Sequence, residues 1–349
     1  MPGRSLGILA AAGYAEAVHG FPGFAGRENS APWETTQQFE RITPDGAIAI
    51  ARDVFALDVL TVARLETERD DTFRLRTRSR DLVLKVAHPA DSATAIDLQT
   101  RALQFARLRD SDLPLQDFVE SRDGDIAPVL PAHDDRIARV LTWLPGTSLT
   151  AVVPDDLQAV ALGEVLGRLS TALRGFEHGA AEFPLAWDVA QADRLRTASE
   201  LLPDPFVTEV LDRFDRVVVP VRPDLPRQVI HNDFNPGNVV VDPDDPAFVV
   251  GILDFGDAIQ SFRVADLAVA LSYQLYPFGR SWADCAPFIE GFERRVLLVP
   301  LERAVLKTLV LTRLAQRILV GDWLARQDAP RTLPPSYREG LASTLEGLL

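Results

Sequence analysis

Between Arg227 and Asp257 the chain reads RQVIHNDFNPGNVVVDPDDPAFVVGILDFGD, three short apolar runs separated by stretches of Asn, Asp, Pro and Gly. Such runs fit short buried strands and the breaks fit tight loops. The pattern predicts a strand entering a polar loop at His231, a second strand over NVVVD, and a third over AFVVGIL that opens into Asp254. His231, Asp233 and Asn238 then share one loop, and Asp254 stands at the end of a neighbouring strand.

These side chains are short, polar and held between apolar strands, which suits the division of labour in phosphoryl transfer. Asp233 can accept the proton of an attacking hydroxyl, while Asn238 and Asp254 offer the oxygen ligands that magnesium prefers, with phosphates and waters completing its shell. His231 braces the loop in this reading rather than reacting. Taken singly the residues say little, because Asn and Asp commonly cap turns and helices. Asp257 is open between a cap and a contact to substrate or a second metal. Asp266, in the apolar stretch RVADLAVALSYQLY, reads as a buried hydrogen-bond acceptor.

Around this segment the pattern changes once. A helix is expected over 44–56, strands in VLTVARLE, DTFRLRTRS and DLVLKVAH, a helix over 93–110, and strands near LPLQDFVES and RIARVLTWL. After Pro145 and Gly146 the periodicity becomes helical, at 155–175, 187–217 with Pro203 and Pro205 interrupting, 263–276, 283–296, 301–326 and 336–348. The expected division is an arm over 1–43, a small strand-rich lobe over 44–144 and a larger helical lobe over 145–349. Lys85 alternates with Val83, Leu84 and Val86, so it either reaches the cleft between lobes or is solvated on the sheet.

Composition narrows the partners. With 36 basic and 50 acidic residues the formal net charge is -14, which argues against nonspecific binding to nucleic acid or anionic membranes. Cys285 is the sole cysteine, excluding an intrachain disulfide and a multicysteine zinc centre. No apolar run reaches spanning length, and the cytoplasm is the expected compartment.

His231, Asp233, Asn238 and Asp254, in this order and spacing, resemble the aminoglycoside-phosphotransferase-like branch of the protein-kinase fold. LETERDDTFRLRT, LVLKVA and IDLQTRAL are most similar to its hydroxylysine-kinase-like subgroup. The resemblance covers residues 44–325 and implies a two-lobed α+β protein. It also implies Asp233 as base or hydroxyl-orienting group, Asn238 and Asp254 as Mg2+ ligands, Asp266 as anchor of the loop, and ATP or GTP as donor. Lys85 would bind nucleotide, with Asp97 either its partner or a solvent-facing acid on helix 93–110; Leu141 to Leu144 would form the hinge, with Trp143 packing over adenine or supporting the hinge. The glycine-rich phosphate loop is missing, since no Gly lies between Gly46 and Gly124; the turn through Asp70 and Asp71 would present backbone N–H groups instead. The implied acceptor is 5-hydroxy-L-lysine or a related amine-bearing alcohol, with Asp257 facing ammonium and Arg263 and Arg313 each either facing carboxylate or held in a structural ion pair. Alternatives are homoserine, choline or an aminoglycoside, or a nucleotide-binding regulatory protein with little turnover. Sequence leaves monomer and dimer open.

Overall fold

The computed structural model describes residues 21, 22, 24, 39–67, 70–245, 247–326 and 334–349. Most of the expected arm over 1–43, and the tip of the turn before Asp70, lie outside the described residues.

The small lobe is an antiparallel sheet with one helix on its back. Helix α1 (Pro44–Asp53) begins where the Thr43 hydroxyl accepts the Gly46 N–H and Pro44 occupies the first turn. Strands β1 (Val59–Leu65), β2 (Asp71–Thr77) and β3 (Asp81–Val86) follow as consecutive hairpins. Helix α2 (Ala93–Arg109) comes next, capped by Ser92. The short strands β4 (Phe118–Val119) and β5 (Val129–Leu130) and the longer β6 (Arg136–Thr142) complete the sheet in the order β1-β2-β3-β6-β4, with β5 also on β6.

Strand alternation sorts the residues of this sheet. Leu82, Leu84 and Val86 of β3 and Ala138 and Val140 of β6 pack with Ala47, Ile50, Ala51 and Phe55 behind the sheet. Their neighbours Val83, Lys85, Arg139 and Leu141 therefore face the other way, toward the cleft. Lys85 pairs directly with Arg139 across the strands.

Pro145 and Gly146 lead into the large lobe. Gly146 has φ +145°, and a Cβ there would come within 2.8 Å of the Val241 carbonyl, so a side chain is excluded at the crossing. Beyond it lie β7 (Thr147–Ser148), α3 (Asp156–Ala172), α4 (Arg196–Leu201), α5 (Pro205–Val217), β8 (Arg227–Ile230), β9 (Val239–Val241), β10 (Val249–Ile252) and β11 (Ile259–Phe262). Helices α6 (Ala265–Leu275), α7 (Ala286–Glu293), α8 (Pro300–Arg326) and α9 (Pro335–Leu348) close the lobe. One large apolar core joins these helices to α2, through Leu98, Ala102 and Leu103. Among the described residues no helix is long and apolar enough to cross a membrane.

Two expectations shift in detail. The helix expected over 187–217 is a 3-10 segment followed by α4 and α5, because Pro205 starts a new helix that Asp204 caps through the Phe206 and Val207 N–H groups. The strand expected in LPLQDFVES shrinks to Phe118–Val119. Leu115 pairs instead with Ile252 of the large lobe, and the Ile252 N–H donates to the Pro114 carbonyl, tying the lobes together beside the cleft.

Candidate active site

The loop leaving β8 turns sharply, with Asn232 at φ 63°. Strain of this kind persists only where its surroundings impose it. Here the fully buried Asp266, in the first turn of α6, accepts the His231 N–H at 3.1 Å and the Asn232 N–H at 2.6 Å. Burial raises the Asp266 carboxyl to about 6, against the pull of those two donors.

His231 continues the bracing. Its Nε2 lies 3.0 Å from the Leu253 carbonyl, which can only accept, so Nε2 carries the proton. Its Nδ1 accepts the Asp233 N–H at 3.2 Å. Burial pushes the ring down to about 4 and keeps it neutral, which this pair of bonds requires. The edge of the His231 ring also meets Phe255, with centroids 4.9 Å apart.

Asp233 is 3% exposed. Asn238 Nδ2 donates to Asp233 Oδ2 at 2.7 Å and to the Asp233 carbonyl at 3.1 Å. Asp233 Oδ1 has no hydrogen-bond partner among the described residues and stands 3.6 Å from the Arg313 guanidinium. Burial first, then the neighbouring Asp257 charge, push the Asp233 carboxyl well above its ordinary range despite Arg313. A carboxylate so placed has a raised affinity for a proton.

Asp254 is brought beside this loop by the Leu253 N–H, which donates to the Asn238 carbonyl at 2.8 Å. It too sits at positive φ, 60°, with Oδ1 accepting the Gly256 N–H at 2.9 Å. Burial raises its carboxyl, but Lys85, at 3.6 Å from Oδ2, and the Gly256 N–H outweigh burial and hold it below the usual range. Asp254 is thus an ionised oxygen donor, one residue beyond the Leu253 backbone that pairs with Asn238.

The small-lobe wall adds Lys85, Gln99, Arg139, Phe118 and Leu141 to a cleft whose floor includes Asp254. Two candidate site residues are placed away from the cleft. Asp97 does not meet Lys85: it is half-exposed and pairs with Arg101 at 3.2 Å and His178 at 3.0 Å. Gln99 is the residue of α2 that lines the cleft, and it accepts from Arg139 at 3.1 Å. Arg263 is committed to the buried Glu302, which also accepts the Val299 N–H ahead of α8, so its role is structural. The Asp71 side chain is taken up within the small lobe. Arg136 and Arg64 hold it at 2.8 and 2.7 Å, and it accepts the Ile42 N–H, which fastens β2 to β6 and to the approach to α1.

Four further candidate residues have the following surroundings. The Arg74 guanidinium lies over the Trp143 ring, 4.1 Å from its centroid, and the Trp143 backbone N–H donates to the Asp81 carbonyl. Leu144 packs over Gly251, where a Cβ would clash at 2.9 Å. Asp257 is 4% exposed and close enough to Asp233 to act on its charge. Arg313, 2% exposed, donates to the Trp187 carbonyl at 2.6 Å, and its Nε has no hydrogen-bond partner among the described residues.

The sequence profile described as the phosphotransferase enzyme family matches residues 61–305, which span both walls of this cleft. The chain belongs to that family. Among similar proteins, a hydroxylysine kinase of Danio rerio is 25% identical over 296 residues, covering 80% of this chain and 83% of the relative. A homoserine kinase of Gluconobacter oxydans is 31% identical over 250 residues, covering 70% and 76%. An amicoumacin kinase solved with AMP-PNP superposes with TM-score 0.64 at 17% identity, over 87% of this chain and 92% of that one. A microcompartment-associated aminopropanol kinase gives 0.62 at 20% identity, over 86% and 95%. The two-lobed α+β fold is that of the protein-kinase-like phosphotransferases, and this family member is a nucleotide-dependent small-molecule kinase.

Arg139 and Gln99 were not legible as cleft residues from sequence. The signal was present in weak form: Arg139 stands two residues before Leu141 on one strand, and period-2 alternation puts both on one face. Choosing which face requires knowing what covers the back of the sheet.

Proposed function

We propose that this phosphotransferase moves the terminal phosphate of ATP or GTP to the side-chain hydroxyl of a small amine-bearing alcohol, with 5-hydroxy-L-lysine the leading acceptor. The observation that carries the reading is the placement of buried Asp233 between an acceptor-side cation, Arg313, and a nucleotide-side pair, Lys85 and Asp254. Asp233 aligns the hydroxyl and takes its proton as the hydroxyl oxygen bonds to the terminal phosphorus; the bond from phosphorus to the bridging oxygen breaks, and nucleoside diphosphate leaves. Lys85 neutralises the phosphate chain, and the backbone from Leu141 to Leu144 with Trp143 shapes the base end of the cleft.

Asn238 and Asp254 suit magnesium: they offer an amide and an ionised carboxylate, both oxygen donors, and no cluster of three His, Cys, Asp or Glu suited to a metal occurs among the described residues. A pair of protein ligands is what magnesium takes when phosphates and waters supply the rest. When bound it would neutralise charge developing on the phosphate oxygens. His231 and Asp266 stay outside the chemistry and hold Asp233 in place.

On the acceptor side, Arg313 is positioned for a carboxylate and Asp257 for an ammonium group, which favours an amino acid over a neutral sugar. Homoserine is the second reading, supported by the 31% identity to a homoserine kinase; it shares the zwitterionic end and differs in chain length. The test is a mass-spectrometric panel of hydroxylated amino acids, amino alcohols, choline and aminoglycosides with ATP and GTP. One acceptor gaining a phosphate, with the gain lost in Asp254→Ala, supports the proposal. Nucleotide binding without any phosphorylated acceptor would favour a regulatory protein instead.

A further inference from the structure

The cleft contains a second cation that phosphate anchoring by Lys85 does not use. Arg139 lies opposite Lys85 on the adjacent strand, its side chain 7% exposed. Gln99 holds one end of its guanidinium at 3.1 Å, and Nε has no hydrogen-bond partner among the described residues. A buried guanidinium with an idle donor is costly unless something anionic completes it.

Such an anion is already nearby. Asp70, immediately before β2, places Oδ2 3.9 Å from Arg139, and its charge also acts on Lys85. Lys85 and Arg139 therefore converge on one anion position at Asp70. The distance of 3.9 Å is long for a paired carboxylate, and desolvation raises the Asp70 carboxyl, so Asp70 fills that position poorly. A phosphate brings more acceptor oxygens and more charge, and a guanidinium fork matches it.

We infer that Arg139 is a second phosphate-anchoring residue of the nucleotide site, presented by Gln99, and that Asp70 occupies its anion position until nucleotide displaces it. This compensates for the missing glycine-rich loop: an arginine and a lysine on neighbouring strands do what successive backbone N–H groups do elsewhere. The inference rests on the nucleotide-binding half of the proposed function.

The test measures binding without acceptor, in magnesium buffer, to the full chain. Adenosine, AMP, ADP and AMP-PNP, and the guanosine series, are titrated against wild type, Arg139→Gln and Asp70→Asn. Arg139→Gln is expected to bind the nucleoside within about twofold of wild type and to lose about tenfold or more for the diphosphate and AMP-PNP. Asp70→Asn is expected to leave nucleoside affinity alone and tighten the triphosphate analogue by about threefold or more. Equal affinity of Arg139→Gln and wild type for AMP-PNP overturns the inference. So does a uniform loss that includes the nucleoside, which would mean that Arg139 only shapes the cleft. Should Arg139→Gln not fold, Asp70→Asn decides, and unchanged or weaker triphosphate binding counts against the inference. A wild-type chain that binds no nucleotide of either series would sink the proposed function itself, a result distinct from the others.

Discussion

On the large-lobe wall of the cleft, each group around Asp233 is itself fixed by another: Asp266 holds two backbone donors, His231 bridges Leu253 to Asp233, and Asn238 clamps Asp233 from the far side. On the small-lobe wall, contacts are longer and the partners changeable, with Lys85 3.6 Å from Asp254 and Arg139 3.9 Å from Asp70. The first wall is preorganised for one geometry, which electrostatic catalysis rewards. The second is a set of charges awaiting an anion. Substitutions in the first should therefore damage chemistry or folding, and those in the second should alter nucleotide affinity.

The largest effect is expected at Asp233. Asp233→Asn keeps the size and the contact to Asn238 but removes the proton acceptor, so the transfer step should slow by about 10²–10⁴-fold. Nucleotide affinity should stay within about twofold, since Lys85 and Arg139 are untouched. Single-turnover transfer beside a nucleotide titration checks both; a variant that loses nucleotide binding instead would erase the distinction between the walls.

Asp266 comes next, because it supports the loop without touching the cleft. Asp266→Ala leaves the His231 and Asn232 N–H groups without their acceptor in a buried turn and should cost about 2–4 kcal/mol in denaturant unfolding. Its titration gives a second, independent signature. The folded carboxyl lies at about 6, above its ordinary 3.8, so the native state holds this proton more tightly than the unfolded chain. Stability from that proton is fully present below pH 3.8 and is lost as pH rises through about 6. Asp266→Asn cannot titrate, so between pH 4.5 and pH 6 wild type should lose about 2 kcal/mol relative to it. A pH-independent gap would show that Asp266 is ionised throughout.

Lys85 should behave in the opposite way. Lys85→Met is expected to raise the nucleotide KM by about tenfold while shifting unfolding free energy by less than about 1 kcal/mol, because its ion pair with Asp254 is partly solvated. A large loss of stability would mean that the small-lobe wall is as rigid as the other.

These contrasts also explain how much could be read from the chain. The large-lobe wall is written in one short stretch, where His231, Asp233, Asn238 and Asp254 sit at spacings that only a strand, loop and strand can bring together. Asp266 was readable as well, since a lone carboxylate in an apolar helix needs donors. The small-lobe wall is assembled from β2, β3, α2 and β6, and no local pattern says which faces meet. Arg263 illustrates the same limit: its partner Glu302 lies 39 residues away, so sequence could not separate a substrate contact from a structural ion pair.

Asp97 gives the smallest expected effect and the finest test. The family resemblance offered Asp97, two residues before Gln99, as one candidate partner for Lys85, but the helix turns about 100° per residue, so positions two apart point to different sides. The structure puts Ala95, Ile96 and Leu98 into the core, Gln99 at the cleft and Asp97 outward against Arg101 and His178. Its carboxyl is held below the ordinary range, first by the His178 contact, but half-exposed pairs of this kind add little stability. Asp97→Ala should therefore change nucleotide KM by less than about twofold and stability by less than about 1 kcal/mol. Gln99→Ala, which releases Arg139, should weaken nucleotide binding more than Asp97→Ala does. Steady-state kinetics over a nucleotide series ranks the two. If Asp97→Ala has the greater effect, α2 must rotate on nucleotide binding to carry Asp97 inward, and the small-lobe wall is a moving part rather than a waiting one.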